Sequence, residues 1–142
     1  MAVQFDRSVI GREFDRTTFP PVTADDIREY AAASGETNPR YTDEAPRGGM
    51  VAPPTFPVSL RGRHFMPKEL HNIGRGGFDA GKDIELGEPV RPGDVLTAVS
   101  IVHDVYEKTG RTGTMTFIVF RTTVTNQRQE MVAVVDQRMM FR

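Results

Sequence analysis

Cysteine is absent from the 142 residues, which excludes disulfides and thiolate nucleophiles and leaves any zinc site to histidine and carboxylates. The 3 histidines, His64, His71 and His103, have no ligand spacing with one another or with carboxylates, so no metal is expected. His64 falls on a presumed helix, where a lone histidine more often packs in a core or an interface than catalyses. Gly74-Arg75-Gly76-Gly77 is glycine-rich but lacks the Lys-Ser/Thr ending and the strand-to-helix setting of a phosphate loop. One stretch stands apart. From Glu36 to Pro54 the chain is dominated by turn chemistry: Asn38-Pro39, Pro46, Gly48-Gly49 and Pro53-Pro54. A loop of that length in a small domain is usually either functional or mobile, and it carries Glu36, Asn38 and Tyr41.

The elements that must position this loop are legible on both sides of it. Thr23 offers an N-cap, and Asp25 and Asp26 place acids in the first turn, where the helix dipole favours them. Ile27, Tyr30, Ala31 and Ser34 follow helical spacing and Gly35 stops it, which predicts a helix over Ala24 to Ser34. After the loop, Thr55 to Leu70 reads as a second helix, with Phe56, Leu60, Arg63 and His64 on one side and Pro53-Pro54 at its entry. Pro67 kinks or ends it.

The period then changes. Lys82 to Val90, Val95 to Tyr106, Thr114 to Thr125 and Met131 to Phe141 are rich in Val, Ile, Thr, Phe and Met, and short turns separate them. Neither alternating face of Thr116 to Thr125 is purely polar, so both faces of the sheet are expected to be partly covered. Helices followed by a run of turn-linked strands indicate an α+β fold with an antiparallel sheet. No repeat or linker divides the chain, and residues 1–142 read as one domain.

A formal net charge of −1, with mixed signs and no charged run, gives no field that would draw the chain to nucleic acid or an acidic membrane. The segment Met1 to Arg7 lacks the apolar core of a signal peptide, and no apolar stretch is long enough to span a bilayer. A cytoplasmic location is the expectation.

Three stretches, in order, resemble one family. Ser34-Gly35-Glu36-Thr37-Asn38-Pro39-Arg40-Tyr41-Thr42-Asp43, following the helix at Ile27, is similar to the hydratase motif of MaoC-like (R)-specific hydratases and dehydratases. Gly49-Met50-Val51-Ala52-Pro53-Pro54-Thr55-Phe56-Pro57 resembles the entry to their central helix, in the wording of the N-terminal-half (FAS1-type dehydratase) subgroup. That subgroup includes the A and C type subunits of mycobacterial (3R)-hydroxyacyl-ACP dehydratases. Glu88 to Leu96, with Val124-Thr125-Asn126-Gln127, resembles the sheet of the same subgroup. The resemblance runs roughly from Val9 to Arg142 and implies a hot-dog fold, an antiparallel sheet wrapped around a central helix.

It also implies chemistry. The family adds water to, or removes it from, a double bond beside an acyl thioester, carried by coenzyme A or an acyl carrier protein, with no further cofactor. Active members place Asp and His five positions apart as the acid/base pair, and a backbone N–H at the helix entry faces the thioester oxygen. Here those two positions hold Glu36 and Tyr41. The extra methylene of Glu displaces its carboxylate, and misplacement by about 1 Å can cost on the order of 100-fold in rate. A phenol, with an unperturbed pKa of about 10 against about 6.5 for imidazole, is a poor base near neutral pH. Pro54 falls where a glycine usually donates its N–H, and proline has none.

Thr55 and Phe56 are the substitute donors, and Asn38 is a candidate to orient the loop or the substrate. Arg61, Arg63, Arg75 and Lys82 are candidates for the carrier's phosphates. Structural readings stand beside these: Glu36 solvated after a helix end, Asn38-Pro39 turn-forming only, Tyr41 packing its ring with its hydroxyl wet. The altered pair points to a subunit that stabilises substrate while a second hot-dog chain supplies Asp and His. The alternatives are a self-sufficient homodimeric hydratase or thioesterase using Glu36 and Tyr41, and a non-enzymatic acyl-CoA-binding protein.

Overall fold

The computed structural model describes residues 4–42, 49–73 and 76–142. Asp43 of the resembling motif, Pro46, Gly48, Gly74 and Arg75 lie outside the described residues. The first strand, β1 (Glu13–Thr18), precedes the helix α1 (Ala24–Ala33). Four long strands follow the loop region: β2 (Gly77–Leu86), β3 (Thr97–Gly110), β4 (Gly113–Thr125) and β5 (Met131–Phe141). All pair antiparallel in one sheet of order β1-β3-β4-β5-β2, which leaves β1 and β2 as its edges.

The start of α1 follows the sequence expectation closely. Thr23 Oγ1 accepts the Asp26 N–H at 3.0 Å and Asp26 accepts the Thr23 N–H at 2.9 Å, a complete capping box. Ile27 and Ala31 form its buried stripe. The turn before β3 is also as expected. Gly93 adopts φ 92°, Arg91 donates its N–H to the Asp94 carboxylate at 2.8 Å, and Gln127 donates its side-chain amide to the same group at 2.9 Å.

The expected helix from Thr55 to Leu70 does not form. Two short 3₁₀ segments, Phe56–Ser59 and Lys68–Leu70, stand at its ends with irregular chain between them. Pro67 removes a backbone donor that the helix would need, and two further donors are diverted to β1. The Arg63 N–H reaches Thr17 Oγ1 at 3.4 Å and the His64 N–H reaches the Asp15 carboxylate at 3.1 Å. Both acceptors belong to β1, a strand with no counterpart among the elements read from the sequence. The strand expected at Lys82 to Val90 begins earlier and ends at Leu86.

Two apolar clusters hold the fold, and they occupy opposite ends of one sheet face. Ile27, Ala52, Phe56, Leu96, Ala98 and Val124 belong to the first. Val9, Leu70, Val102, Ile118, Phe120 and Phe141 belong to the second. Between Ala98/Val124 and Val102/Phe120 lies a polar rung: Ser100 faces Thr122 in register, and their hydroxyls are 2.8 Å apart. The opposite face is partly apolar too, with Val119 buried and Tyr106 stacked on Phe117 at 5.1 Å.

Candidate functional site

The loop that resembles the hydratase motif leaves α1 through Gly35, whose φ of 73° is a left-handed conformation that glycine adopts without strain. Glu36 follows it and is exposed. Asn38 Oδ1 accepts the Arg40 N–H at 3.0 Å and opens the 3₁₀ turn Pro39–Tyr41, so its amide shapes the loop. Tyr41 is half-buried. The loop is tied to the sheet in two steps: Val51 donates its N–H to Arg40 O at 3.0 Å, and Ala52 donates to Val90 O at 2.8 Å.

Tyr41 is the common wall of two depressions. With Glu36, Arg28 and Thr37 it borders an open hollow beside α1. With Pro54, Val51, Leu86 and Val90 it borders a cavity of about 160 Å³ against the sheet edge. The structure therefore brings Tyr41 to Glu36 on one side and to Pro54 on the other, and Glu36 and Pro54 border different depressions.

The residues expected to replace the missing proline N–H are largely engaged. Phe56 donates its N–H to Pro53 O at 2.9 Å, and its ring lies in the core, edge-on to Tyr30 at 5.5 Å. The Thr55 hydroxyl pairs with the Tyr30 hydroxyl at 2.8 Å. A 3₁₀ turn of 4 residues replaces the helix whose dipole was to assist an oxyanion here.

A second group of polar side chains gathers under the segment that failed to become a helix. A cavity of about 220 Å³ lies between that segment and the polar rung of the sheet. Ser100, Thr122 and Gln137 supply its polar floor, and Phe14, Val58, Leu60 and Phe120 are among its apolar walls. His64 borders it, with its ring Nδ1 3.0 Å from the Asp15 carboxylate. Asp15 is only 5 % exposed. Burial pushes its carboxyl up, but hydrogen bonds from Thr17, His64 and Arg63 outweigh burial and hold it below the usual carboxylate range. Gly62 is required in this clamp, because a Cβ there would sit 2.0 Å from Asp15 Oδ2.

On the other side of the cavity, Asp79 accepts from Gly81, Gln137 and Lys82, which lowers its pKa to about 2. The Asp15–His64 pair spans 49 positions and was not legible from spacing. Glu13 to Thr18 shows no apolar alternation that could have flagged Asp15. Among the described residues no group of His and carboxylates is arranged to hold a metal.

Strand order, antiparallel pairing and the covered sheet face define a hot-dog fold. The chain belongs to the FAS1-like, dehydratase domain region family, which matches residues 8–135. A UPF0336 protein of Streptomyces griseus is 34% identical over 116 residues, covering 74% of this chain and 76% of that protein. The MaoC-like dehydratase from Rhodospirillum rubrum superposes with a TM-score of 0.70 at 23% identity, covering 97% of this chain and 96% of that one. A chain of the C-terminally truncated HadBC (3R-hydroxyacyl-ACP dehydratase) complex of Mycobacterium tuberculosis gives 0.65 at 24% identity, covering 91% and 96%. The two solved structures carry the fold; family membership rests on the match to residues 8–135 and on the Streptomyces relative.

Proposed function

We propose that this chain is the substrate-stabilising subunit of an acyl-thioester (R)-specific hydratase or dehydratase, and that a second hot-dog chain supplies the acid/base pair. The observation that carries this reading is the state of the motif loop. Glu36 stands exposed in an open hollow, Tyr41 replaces the imidazole, and the Phe56 N–H beside Pro54 is already bound to Pro53. A proton-transfer site needs a base within reach of its substrate and a donor free to meet developing negative charge. Both needs are poorly met at Glu36, Tyr41 and Phe56, while the cavity beside Tyr41 offers an apolar wall to an acyl group.

The edge strand β2 supports a partner. Phe78, Ile84 and Leu86 on it are 50%, 40% and 49% exposed, an unusual apolar display on a strand whose outer edge has no neighbour among the described residues. The HadBC structure is itself a two-component complex, which makes a second hot-dog subunit the natural occupant.

Co-expression with a hot-dog chain carrying an intact Asp-x4-His motif tests the proposal. The two should co-purify, and crotonyl-CoA hydration should require both and vanish when the partner's histidine is replaced. Failure of any such chain to co-purify or to raise turnover would count against it.

A further inference from the structure

The cavity under residues 57–65 has a lining of one chemical sense. Arg61, Arg63, His64 and Lys82 border it, joined by Ser100, Thr122 and Gln137, and no Asp or Glu is among its lining residues. The two carboxylates closest by contact are already engaged. Asp15 is clamped by Thr17 and His64, and Asp79 by Gly81, Lys82 and Gln137. Among the described residues Arg61 and Arg63 meet no carboxylate.

The hydroxyl rung adds a further donor. Ser100 and Thr122 hold two hydroxyl protons and share one hydrogen bond of 2.8 Å, so one proton remains to donate to whatever fills the cavity. His64 is oriented in the same way. With Nδ1 directed at Asp15, its Nε2 is the free ring nitrogen, in a side chain 69% exposed.

The position of these donors matters as much as their number. Ser100 and Thr122 interrupt the core between its two apolar clusters, while Arg61, Arg63 and His64 are exposed, and Phe14, Leu60 and Phe120 line the same cavity. A plain alkyl chain laid there would cover hydroxyl and guanidinium donors without offering an acceptor, which is unfavourable, whereas the Gln137 amide already donates to Asp79 and Arg138 O. A chain that is apolar along its length and ends in a carboxylate satisfies both sets, because guanidinium groups pair with carboxylates through parallel hydrogen bonds.

We propose that this cavity is an anion subsite for the far end of the acyl group, and that the substrate is the thioester of a dicarboxylic acid. The thioester part of this rests on the function proposed above; the anion subsite rests on the cavity alone. Asp15 and Gly62 are positioning residues: they fix the 61–64 segment so that its cations face the cavity mouth.

Calorimetric titration of the purified protein, with its partner subunit where one co-purifies, tests this. The probes are glutaryl-CoA, valeryl-CoA, the pantetheine thioesters of both acids, and free glutarate. Glutaryl thioesters should bind at least about tenfold more tightly than valeryl thioesters on either carrier. The double variant Arg61→Gln/Arg63→Gln, which changes two exposed side chains, should remove that difference. Equal affinity for the two acids, or a glutaryl preference that survives in the variant, overturns the proposal. An equal loss for both CoA thioesters that is absent for the pantetheine forms assigns the guanidinium groups to carrier phosphates, and also overturns it. Arginine-dependent binding of glutarate without any thioester binding keeps the subsite and refutes the thioester function. No binding of any probe refutes both.

Discussion

Asp15 shows how a single buried carboxylate can organise a site that no local pattern announces. It accepts the Thr17 hydroxyl, the His64 N–H and the His64 ring, and Gly62 leaves the space it needs. Gly62→Ala should therefore destabilise the protein by about 2 kcal/mol, the usual cost of overpacking, read as a lower urea midpoint. A second carboxylate sets a pH dependence. Arg121 donates twice to Asp136 at 2.7 Å, and this pairing, ahead of any other influence, holds the Asp136 carboxyl below its ordinary value. A depressed carboxylate stabilises the fold above the unfolded pKa of about 4, and that contribution is lost as pH falls through the lower folded value. Arg121→Met should accordingly cost about 2 kcal/mol near pH 7, with the gap to the parent protein closing below about pH 4 in urea titrations.

The elements divide into those whose signals are local and those decided at a distance. The capping box at Thr23, the turn at Gly93-Asp94 and the alternation of β4 were all legible, because each depends on residues a few positions apart. Thr23→Ala should lower stability by about 1 kcal/mol in thermal or urea unfolding, as loss of an N-cap does. The helix expected from Thr55 to Leu70 failed for the opposite reason. Phe56, Leu60, Arg63 and His64 have helical spacing, but β1 offers competing acceptors for the Arg63 and His64 donors, and Pro67 weakens the helical alternative. β1 itself is a strand of 6 residues, five of them charged or hydroxylated, which hides it from a hydrophobic pattern. The motif loop was visible as Glu36, Asn38 and Tyr41; the polar floor of Ser100, Thr122 and Gln137 was not, because three different strands supply it.

Taken whole, the chain presents a covered sheet face, two edges and a motif loop altered at its chemical positions. The exposed apolar residues of β2 are expected to meet a second hot-dog subunit. Ile84→Lys should shift the assembly toward monomer in analytical ultracentrifugation while leaving the unfolding midpoint of the monomer nearly unchanged. On the function proposed, Glu36 and Tyr41 do not carry the proton transfers themselves. Crotonyl-CoA hydration by the reconstituted pair and by this chain alone, each with Glu36→Gln and Tyr41→Phe, tests this most directly. This chain alone should show no turnover, and each substitution should change the reconstituted activity by only a few-fold. Robust turnover by the lone chain, abolished by Glu36→Gln, would contradict it.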